Sequence, residues 1–224
     1  MFSIRNSFSV LCLCALGVSL SPLSAQNTNI VGLFDTGQGD APGFASTHYS
    51  LASAPAGSGL TTAYVTSSFP SVWTTTGFGS ATWISPVTNA NNDVPAGVYD
   101  YRLTFTLINS EGQALNPNAT EIQGIWATDN TASLMLNGVV VGTNSAQFVS
   151  STSFDLTTGF QSGINTLDFL VDNSPGSVPN PSGLIVRFLS GAGAIQTVPE
   201  PATSALIGSA FLLAAWWRSK KSQP

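Results

Sequence analysis

Apolar and polar residues alternate with a period of two along several stretches of this chain, and this spacing restricts the possible folds more than any other feature. The pattern is clearest in residues 98–107, where the apolar positions are Tyr101, Leu103, Phe105 and Leu107. It recurs in residues 167–172 and 184–188. Because strand side chains point alternately to the two faces of a sheet, this period predicts strands with one buried face. No stretch of residues 26–198 has a convincing helical period, so the chain is expected to be all-β.

An Asn-Gly pair joins two short apolar runs within residues 134–141. A two-residue hairpin with a type I′ turn needs positive φ at both central positions, which Asn137 and Gly138 tolerate. Turn residues also separate shorter candidate strands at residues 47–51, 63–66 and 81–84. Many short strands joined by turns predict an antiparallel β-sandwich or jelly roll.

The first 25 residues have the three parts of a secretory signal peptide. Arg5 lies near the start, an apolar core follows at residues 8–20, and the small residues Ser24 and Ala25 end the segment. We predict an N-terminal signal helix in residues 1–25, with cleavage after Ala25. Both cysteines of the chain lie within it, so the mature protein is expected to have no disulfide and no thiol chemistry.

The C-terminal end combines a proline motif, an apolar run and a group of cations. The motif consists of Val198, Pro199, Glu200 and Pro201. Its two prolines remove backbone donors and favour extended backbone before them, which keeps the peptide accessible. Residues 202–217 carry no charge and are predicted to form a transmembrane helix of roughly 24 Å, short against a hydrocarbon core of about 30 Å. A basic tail follows, made of Arg218, Lys220 and Lys221.

These three parts, in this order over residues 198–221, resemble the PEP-CTERM sorting signal of Gram-negative bacteria that make extracellular polysaccharide. The resemblance implies recognition by an exosortase, a membrane cysteine protease that cuts near the Pro-Glu-Pro motif. The expected route begins with the secretion machinery and signal peptidase, which carry the chain across the inner membrane. The chain is then held transiently by its C-terminal helix and reaches the cell surface or extracellular matrix.

The two terminal signals define the expected domain organisation. Residues 1–25 form the signal peptide, residues 26–190 the β-sandwich ectodomain, residues 191–197 a small linker and residues 198–221 the sorting signal. About 165 residues are enough for one domain with a substantial core.

The second half of the ectodomain resembles the galactose-binding-like jelly-roll domains found in many PEP-CTERM proteins. The resemblance rests on residues 97–102, 124–130, 136–138, 163–169 and 180–184. Members of that family also carry an early Asp-x-His-Tyr-like element. Here His48 and Tyr49 keep two of its residues, whereas Ser46 replaces the acid. The resemblance implies an architecture shared by carbohydrate-binding modules and accessory domains of glycosidases, and it does not specify an activity.

Charge limits the class of partner. Residues 26–198 contain two strong bases, Arg102 and Arg187, against ten Asp and Glu, for a formal charge of −8. Nucleic acid is excluded as an expected partner, because binding to phosphates needs a basic face.

Catalytic signals are sparse. His48 is the only histidine, and no Gly-x-Ser-x-Gly motif supports a nucleophilic serine. A glycosidase that uses two carboxylates would need a suitably spaced pair, for which Glu111 and Glu121 are candidates, although turn or surface positions explain both. We expect no enzyme activity and keep a glycan-processing enzyme as an alternative.

A calcium ion is the one cofactor to consider. Asp35 and Asp40 lie in a Gly-rich segment, and such loops supply oxygen ligands to hard cations. The resembled jelly-roll domains often carry one structural calcium. An ordinary Asp/Gly turn explains the same residues.

Sugar binding would need an aromatic surface flanked by polar groups. The candidate residues are Trp73, Trp83, Asn130 and Asn137. The position of Trp73 in a turn-rich segment suggests an exposed ring. The expected function is therefore a secreted, exosortase-processed, non-catalytic β-sandwich of the cell surface or matrix, in contact with polysaccharide or matrix proteins. A carbohydrate-binding module with a defined ligand is the first alternative.

Overall fold

The computed structural model describes residues 27–176 and 178–196, and all the strands named here lie in those ranges. Eleven strands succeed one another along this part of the chain. They are β1 (Asn27–Asn29), β2 (Tyr49–Ser53), β3 (Tyr64–Val65), β4 (Ile84–Ser85), β5 (Gly97–Thr106), β6 (Leu115–Asp129), β7 (Thr131–Leu136), β8 (Val139–Asn144), β9 (Thr152–Leu156), β10 (Ile164–Asn173) and β11 (Gly183–Ile195). The predicted all-β class is confirmed for the described residues.

The strands form two sheets in which each strand pair is antiparallel. A six-stranded sheet has the order β3-β4-β11-β6-β9, with β1 also paired to β11, and a five-stranded sheet has the order β2-β5-β10-β7-β8. From β5 onward the chain changes sheet at every connection except the hairpin between β7 and β8. These crossings place strands that are distant in sequence beside one another, as in sandwich and jelly-roll folds.

The main hydrophobic core lies between the two sheets. Tyr101 and Leu103 of β5 contribute from the five-stranded sheet, and Ile122 and Trp126 of β6 contribute from the six-stranded sheet. The Trp126 ring meets Phe169 of β10 edge-on, with ring centroids 5.6 Å apart. Aromatic pairs of this geometry add stabilisation beyond their buried area. The alternation predicted for residues 98–107 is confirmed, because Tyr101, Leu103 and Phe105 are buried and the residues between them face outward.

A second apolar cluster covers part of the outer face of the six-stranded sheet. Residues 69–83 fold over that face and place Trp73, Phe78 and Trp83 against Ala127 of β6 and Ile185 of β11. Covering this face leaves the outer face of the five-stranded sheet as the more open of the two.

The predicted Asn-Gly hairpin is confirmed. Asn137 and Gly138 connect β7 to β8 with φ of 51° and 80°. The Asn137 amide also donates to the Gly159 carbonyl and to the Asn165 side chain, and its oxygen accepts from the Thr166 backbone. The turn is therefore tied to the neighbouring strand as well as closed locally.

The prediction of a linker at residues 191–197 is wrong for residues 191–195, because these residues continue strand β11. Ala192 pairs with Asn29 of β1 on one side and with Glu121 of β6 on the other. Small residues are typical of linkers, but here they allow close packing: a Cβ on Gly191 would collide with the Leu33 side chain. The sandwich therefore extends beyond the predicted boundary at residue 190.

The predicted signal helix, the Val198-Pro201 motif, the transmembrane helix and the basic tail lie outside the described residues. Within residues 27–176 and 178–196, no helix is long and apolar enough to cross a membrane.

Candidate functional site

The candidate site lies on the open outer face of the five-stranded sheet. Strand register places Ser50 of β2, Arg102 of β5, Asp168 of β10 and Met135 of β7 side by side in one row. Side chains opposite one another on an antiparallel sheet lie about 5 Å apart and interact directly. The row therefore brings together residues that are far apart in the sequence.

Arg102 lies between two carboxylates. Its Nε donates to Asp168 Oδ1 at 2.5 Å, and its Nη2 lies 3.7 Å from Asp100 Oδ2. The Asp168 side chain is 6% exposed and that of Arg102 is 40% exposed. The guanidinium thus rests on a buried carboxylate and keeps part of its donor surface toward solvent. Because Asp168 holds the guanidinium in place, its orientation is set before any ligand arrives.

Asp100 has unused acceptor capacity. Its Oδ1 is buried and has no hydrogen-bond partner among the described residues, and the 3.7 Å contact of Oδ2 with Arg102 is beyond hydrogen-bond length. Burial raises the pKa of Asp100, the nearby Asp168 charge raises it further, and Arg102 opposes both effects. The hydrogen bond to Asp168 and the charges of both carboxylates raise the pKa of Arg102. With both carboxylates ionised, these three residues carry a net charge of −1.

A pocket of about 500 Å³ opens beside Arg102, and we call it the Arg102 pocket. It is lined mainly by hydroxyl-bearing side chains, together with the rings of Phe34, His48 and Tyr49 and one cation. Residues that line it include Phe34, Ser46, Thr47, His48, Ser50, Thr61, Thr62, Arg102 and Thr104.

Two stacked rings form one wall of this pocket. The Phe34 and His48 rings are nearly parallel, with centroids 3.6 Å apart and an interplanar angle of 8°. The buried Tyr49 hydroxyl donates to the Phe34 carbonyl at 2.8 Å, which fixes the backbone under one ring. Asp40 accepts from the backbone and hydroxyl of Thr47 at 3.0 and 2.8 Å, which fixes the backbone before the other ring.

The arrangement combines a stacked ring pair, several hydroxyls, a fixed guanidinium and a neighbouring carboxylate. These groups suit a ligand that has hydroxyls and an apolar face. Arg102 can donate, Asp100 can accept, and the ring pair can contact C–H groups.

The structure corrects the expectation that tryptophans offer an exposed surface. Trp73 is 4% exposed and Trp83 is fully buried, both within the second apolar cluster. The indole of Trp73 donates to Asp129 and that of Trp83 to the Thr74 carbonyl. The turn-rich segment folds onto the six-stranded sheet because its rings bury apolar surface there.

Asn130 and Asn137 lie in structural hydrogen bonds outside the Arg102 pocket. The Asn130 side chain accepts from the Ser174 backbone at 2.9 Å. Asn137 is held in the hairpin contacts given above. The four residues predicted for sugar contact therefore do not converge on one surface pocket.

Asp35 and Asp40 each accept protein hydrogen bonds. Asp35 accepts from the Phe188 backbone at 2.8 Å, and Asp40 accepts from Ser46 as well as Thr47. Burial raises the pKa of Asp35, against the lowering effects of the Phe188 bond and of Arg187. In the part of the chain that the structure describes, no group of three or more His, Cys, Asp and Glu is placed to hold a metal ion.

The two glutamates considered for catalysis lie apart from the Arg102 pocket. Glu111 is exposed in a turn where Asn109 accepts from its backbone at 3.1 Å. Glu121 is exposed on the six-stranded sheet and accepts from Gln123, which also donates to Asp155. These positions agree with the turn and surface interpretations of both residues.

The sequence patterns did not predict that Arg102, Asp100 and Asp168 lie together. The alternation in β5 and β10 already places all three on outward positions, so their exposure to one face was predictable. Their proximity depends on the register between strands 66 residues apart along the chain, which no local pattern reveals.

The protein is thus a two-sheet antiparallel β-sandwich with a polar pocket on one outer face. No family model matches the chain, and no curated protein matches it. Among solved structures, it is similar to the apo form of a Pleurotus ostreatus lectin, with 22% identity over 49% of this chain and 33% of that one and a TM-score of 0.33. The chain spans about a third of that lectin's length.

Two family 35 carbohydrate-binding modules are also similar in structure. One, from Paenibacillus barcinonensis, is 17% identical over 64% of this chain and 94% of that one, with a TM-score of 0.28. The other, from an environmental isolate, is 11% identical over 55% and 84%, with a TM-score of 0.29.

Proposed function

We propose that this chain is an exported, exosortase-processed protein of the cell surface or extracellular matrix, and that its non-catalytic β-sandwich contacts polysaccharide at the Arg102 pocket. The sorting and export parts rest on the resemblance of residues 1–25 and 198–221 to targeting segments. The polysaccharide contact rests on one observation: a fixed guanidinium and an unsatisfied carboxylate lie beside the pocket that contains the Phe34–His48 ring pair.

A sugar can contact both the polar groups and the aromatic rings at this pocket. Its hydroxyls can accept from Arg102 and donate to Oδ2 of the neighbouring Asp100, which lies 3.7 Å from Arg102 Nη2 and accepts no hydrogen bond from the described residues. The pyranose C–H face can lie against the ring pair. Because the rings and the guanidinium are already held by protein contacts, little ordering accompanies binding.

The geometry of the two carboxylates favours binding over hydrolysis. A glycosidase places an acid and a base or nucleophile on the two sides of the scissile bond. Here Asp168 is buried beneath Arg102, and both carboxylates lie on the same sheet face against one guanidinium. Neither is free to act on the opposite side of a bound sugar.

The test is calorimetric titration of the purified protein with extracellular polysaccharide from the producing organism. Arg102→Lys keeps the charge near Asp168 but loses the planar fork, so affinity is expected to fall about 5- to 20-fold, or about 1–2 kcal/mol. Arg187→Lys is the matched control, since Arg187 lies on the other sheet and donates to the Gly77 carbonyl.

His48→Ala removes half of the ring pair and is expected to weaken binding by a similar factor. Phe44→Ala changes an exposed ring outside the pocket and should leave affinity unchanged. An equal loss of affinity in Arg102→Lys and Arg187→Lys would assign the contact to another surface. Saturable binding with unchanged affinity in both Arg102→Lys and His48→Ala would do the same. Turnover of the polysaccharide would contradict the non-catalytic role.

A further inference from the structure

A second pocket lies on the same outer face of the five-stranded sheet. Its volume is about 400 Å³, and it opens over β10, β7 and β8 and the start of β5. Its lining combines hydroxyl, carboxylate and aliphatic groups, mainly Val98, Thr131, Ser133, Thr143, Leu170 and Asp172. We call it the Thr143 pocket.

The strand register places Asp100, Arg102 and Asp168 between the centres of the two pockets. Asp100 is opposite Leu170, which is opposite Ser133, and Ser133 is opposite Thr143. Asp100 therefore begins a row that ends in the Thr143 pocket. Arg102, two residues further along β5, lines the other pocket.

The two pockets thus lie along one diagonal across the sheet. Five strands at a spacing of about 4.8 Å give a face roughly 19 Å wide. This width exceeds what a single sugar unit needs, and both pockets present hydroxyls together with apolar surface.

We propose that the Arg102 pocket, the Asp100–Arg102–Asp168 residues and the Thr143 pocket form one continuous track for an extended, neutral polysaccharide chain. This inference rests on the proposed function and specifies its ligand. The chain crosses the strands, with one unit on the Phe34–His48 rings and later units over Leu170 and Thr143. Vicinal hydroxyls above the charged residues accept from Arg102 and donate to Asp100 Oδ2.

The charges along the track select a neutral chain. The single guanidinium is already neutralised by Asp168, and Asp100 and Asp172 add negative charge beside the path. The surrounding domain carries a formal charge of −8. Anionic sugars such as uronates would meet like charges at close range, which opposes their binding.

The test compares chain lengths on the full chain, purified in a detergent without sugar headgroups. Neutral glucan and galactan oligosaccharides of one to six units are titrated, with oligogalacturonates as the acidic series. Affinity for at least one neutral series is expected to rise more than tenfold from one to six units, and the acidic series should bind at least tenfold more weakly than the neutral series of equal length.

Thr143→Val removes one hydroxyl at the far pocket and is expected to weaken binding of the six-unit chain about threefold to tenfold, without affecting the shortest ligand that binds. Thr106→Val is the matched control, because Thr106 is an exposed β5 residue outside both pocket linings. Circular dichroism of both variants confirms the fold.

Several results would overturn the track and leave the proposed function standing. One is equal affinity for one and six units; another is an effect of Thr143→Val no larger than that of Thr106→Val. Tighter binding of the acidic series would overturn the neutral selectivity. Failure of the folded protein to bind any oligosaccharide or the organism's own polysaccharide would overturn the proposed function and the track together.

Discussion

A buried carboxylate on the outer face of the six-stranded sheet makes stability depend on pH. Asp129 ends strand β6 and is 4% exposed. Its Oδ2 accepts from the Trp73 indole at 3.0 Å. Burial raises the pKa of Asp129 from 3.8 to about 6, and the Trp73 hydrogen bond opposes part of this rise. Ionisation of Asp129 is therefore less favourable in the folded protein than in the unfolded chain.

The direction of the pH effect follows from proton linkage. The pKa of the folded state lies above that of the unfolded state, so the folded protein binds the extra proton between these values. The stabilisation is complete below about pH 3.8 and is lost as pH rises through about 6. A rise of about two pKa units corresponds to about 3 kcal/mol. Between about pH 4 and about pH 8 the expected change is about 2 kcal/mol, because at pH 4 the carboxyl is already partly ionised in the unfolded chain.

Asp129→Asn isolates this contribution. The amide cannot ionise, and its oxygen can still accept from Trp73. Free energies of unfolding are measured with urea at about pH 4 and about pH 8 for wild type and variant. The wild type is expected to lose about 2 kcal/mol more than the variant over this range. Burial also raises the pKa values of Asp35 and Asp100, but these groups are present in both proteins and cancel in the comparison.

Asp155→Asn is the control, since Asp155 is an exposed residue of β9. It should keep the wild-type pH dependence. If the unfolding free energy of Asp129→Asn depends on pH as strongly as that of the wild type, the burial of Asp129 does not produce the pH effect and the reasoning is refuted.

Two further predictions concern packing and processing. Gly124→Ala should destabilise the fold by about 1–3 kcal/mol in urea unfolding, because the new Cβ would collide with the Phe154 ring and lie 2.8 Å from the Arg187 carbonyl. Gly142→Ala, whose Cβ would meet its nearest neighbour at 3.8 Å, should change stability little, and an equal loss in both would contradict the packing argument. Replacing residues 199–201 by alanine should leave the full-length chain in the membrane fraction. A wild-type intact mass that still includes Lys221 would refute processing at the motif.

Strands with a strong local pattern were predicted closely. The period-two runs in β5 and β10 and the Asn-Gly turn each depend on neighbouring residues, and the structure confirms them. The short strands β1 and β9 were not predicted. Three to five residues carry too little periodicity to distinguish a strand from a loop, and pairing with β11 and β6 defines these two.

Long-range contacts account for the errors at the candidate site. Trp73 was expected to be exposed because its segment is rich in turns, yet it packs closely over Gly183 and donates to Asp129, 56 residues away. The Gly- and Ala-rich residues 191–195 resemble a linker, yet their small side chains allow β11 to lie between β1 and β6.

The sequence by itself determined the strand class, the outward position of Arg102 and the resemblance of both ends to targeting segments. Each depends on the order of nearby residues, because side-chain direction in a strand has a period of two. Only the tertiary structure decided that Arg102 meets Asp168 and that two pockets share one sheet face. Strand order and register are set by packing the whole core, so distant residues become neighbours only when both sheets form.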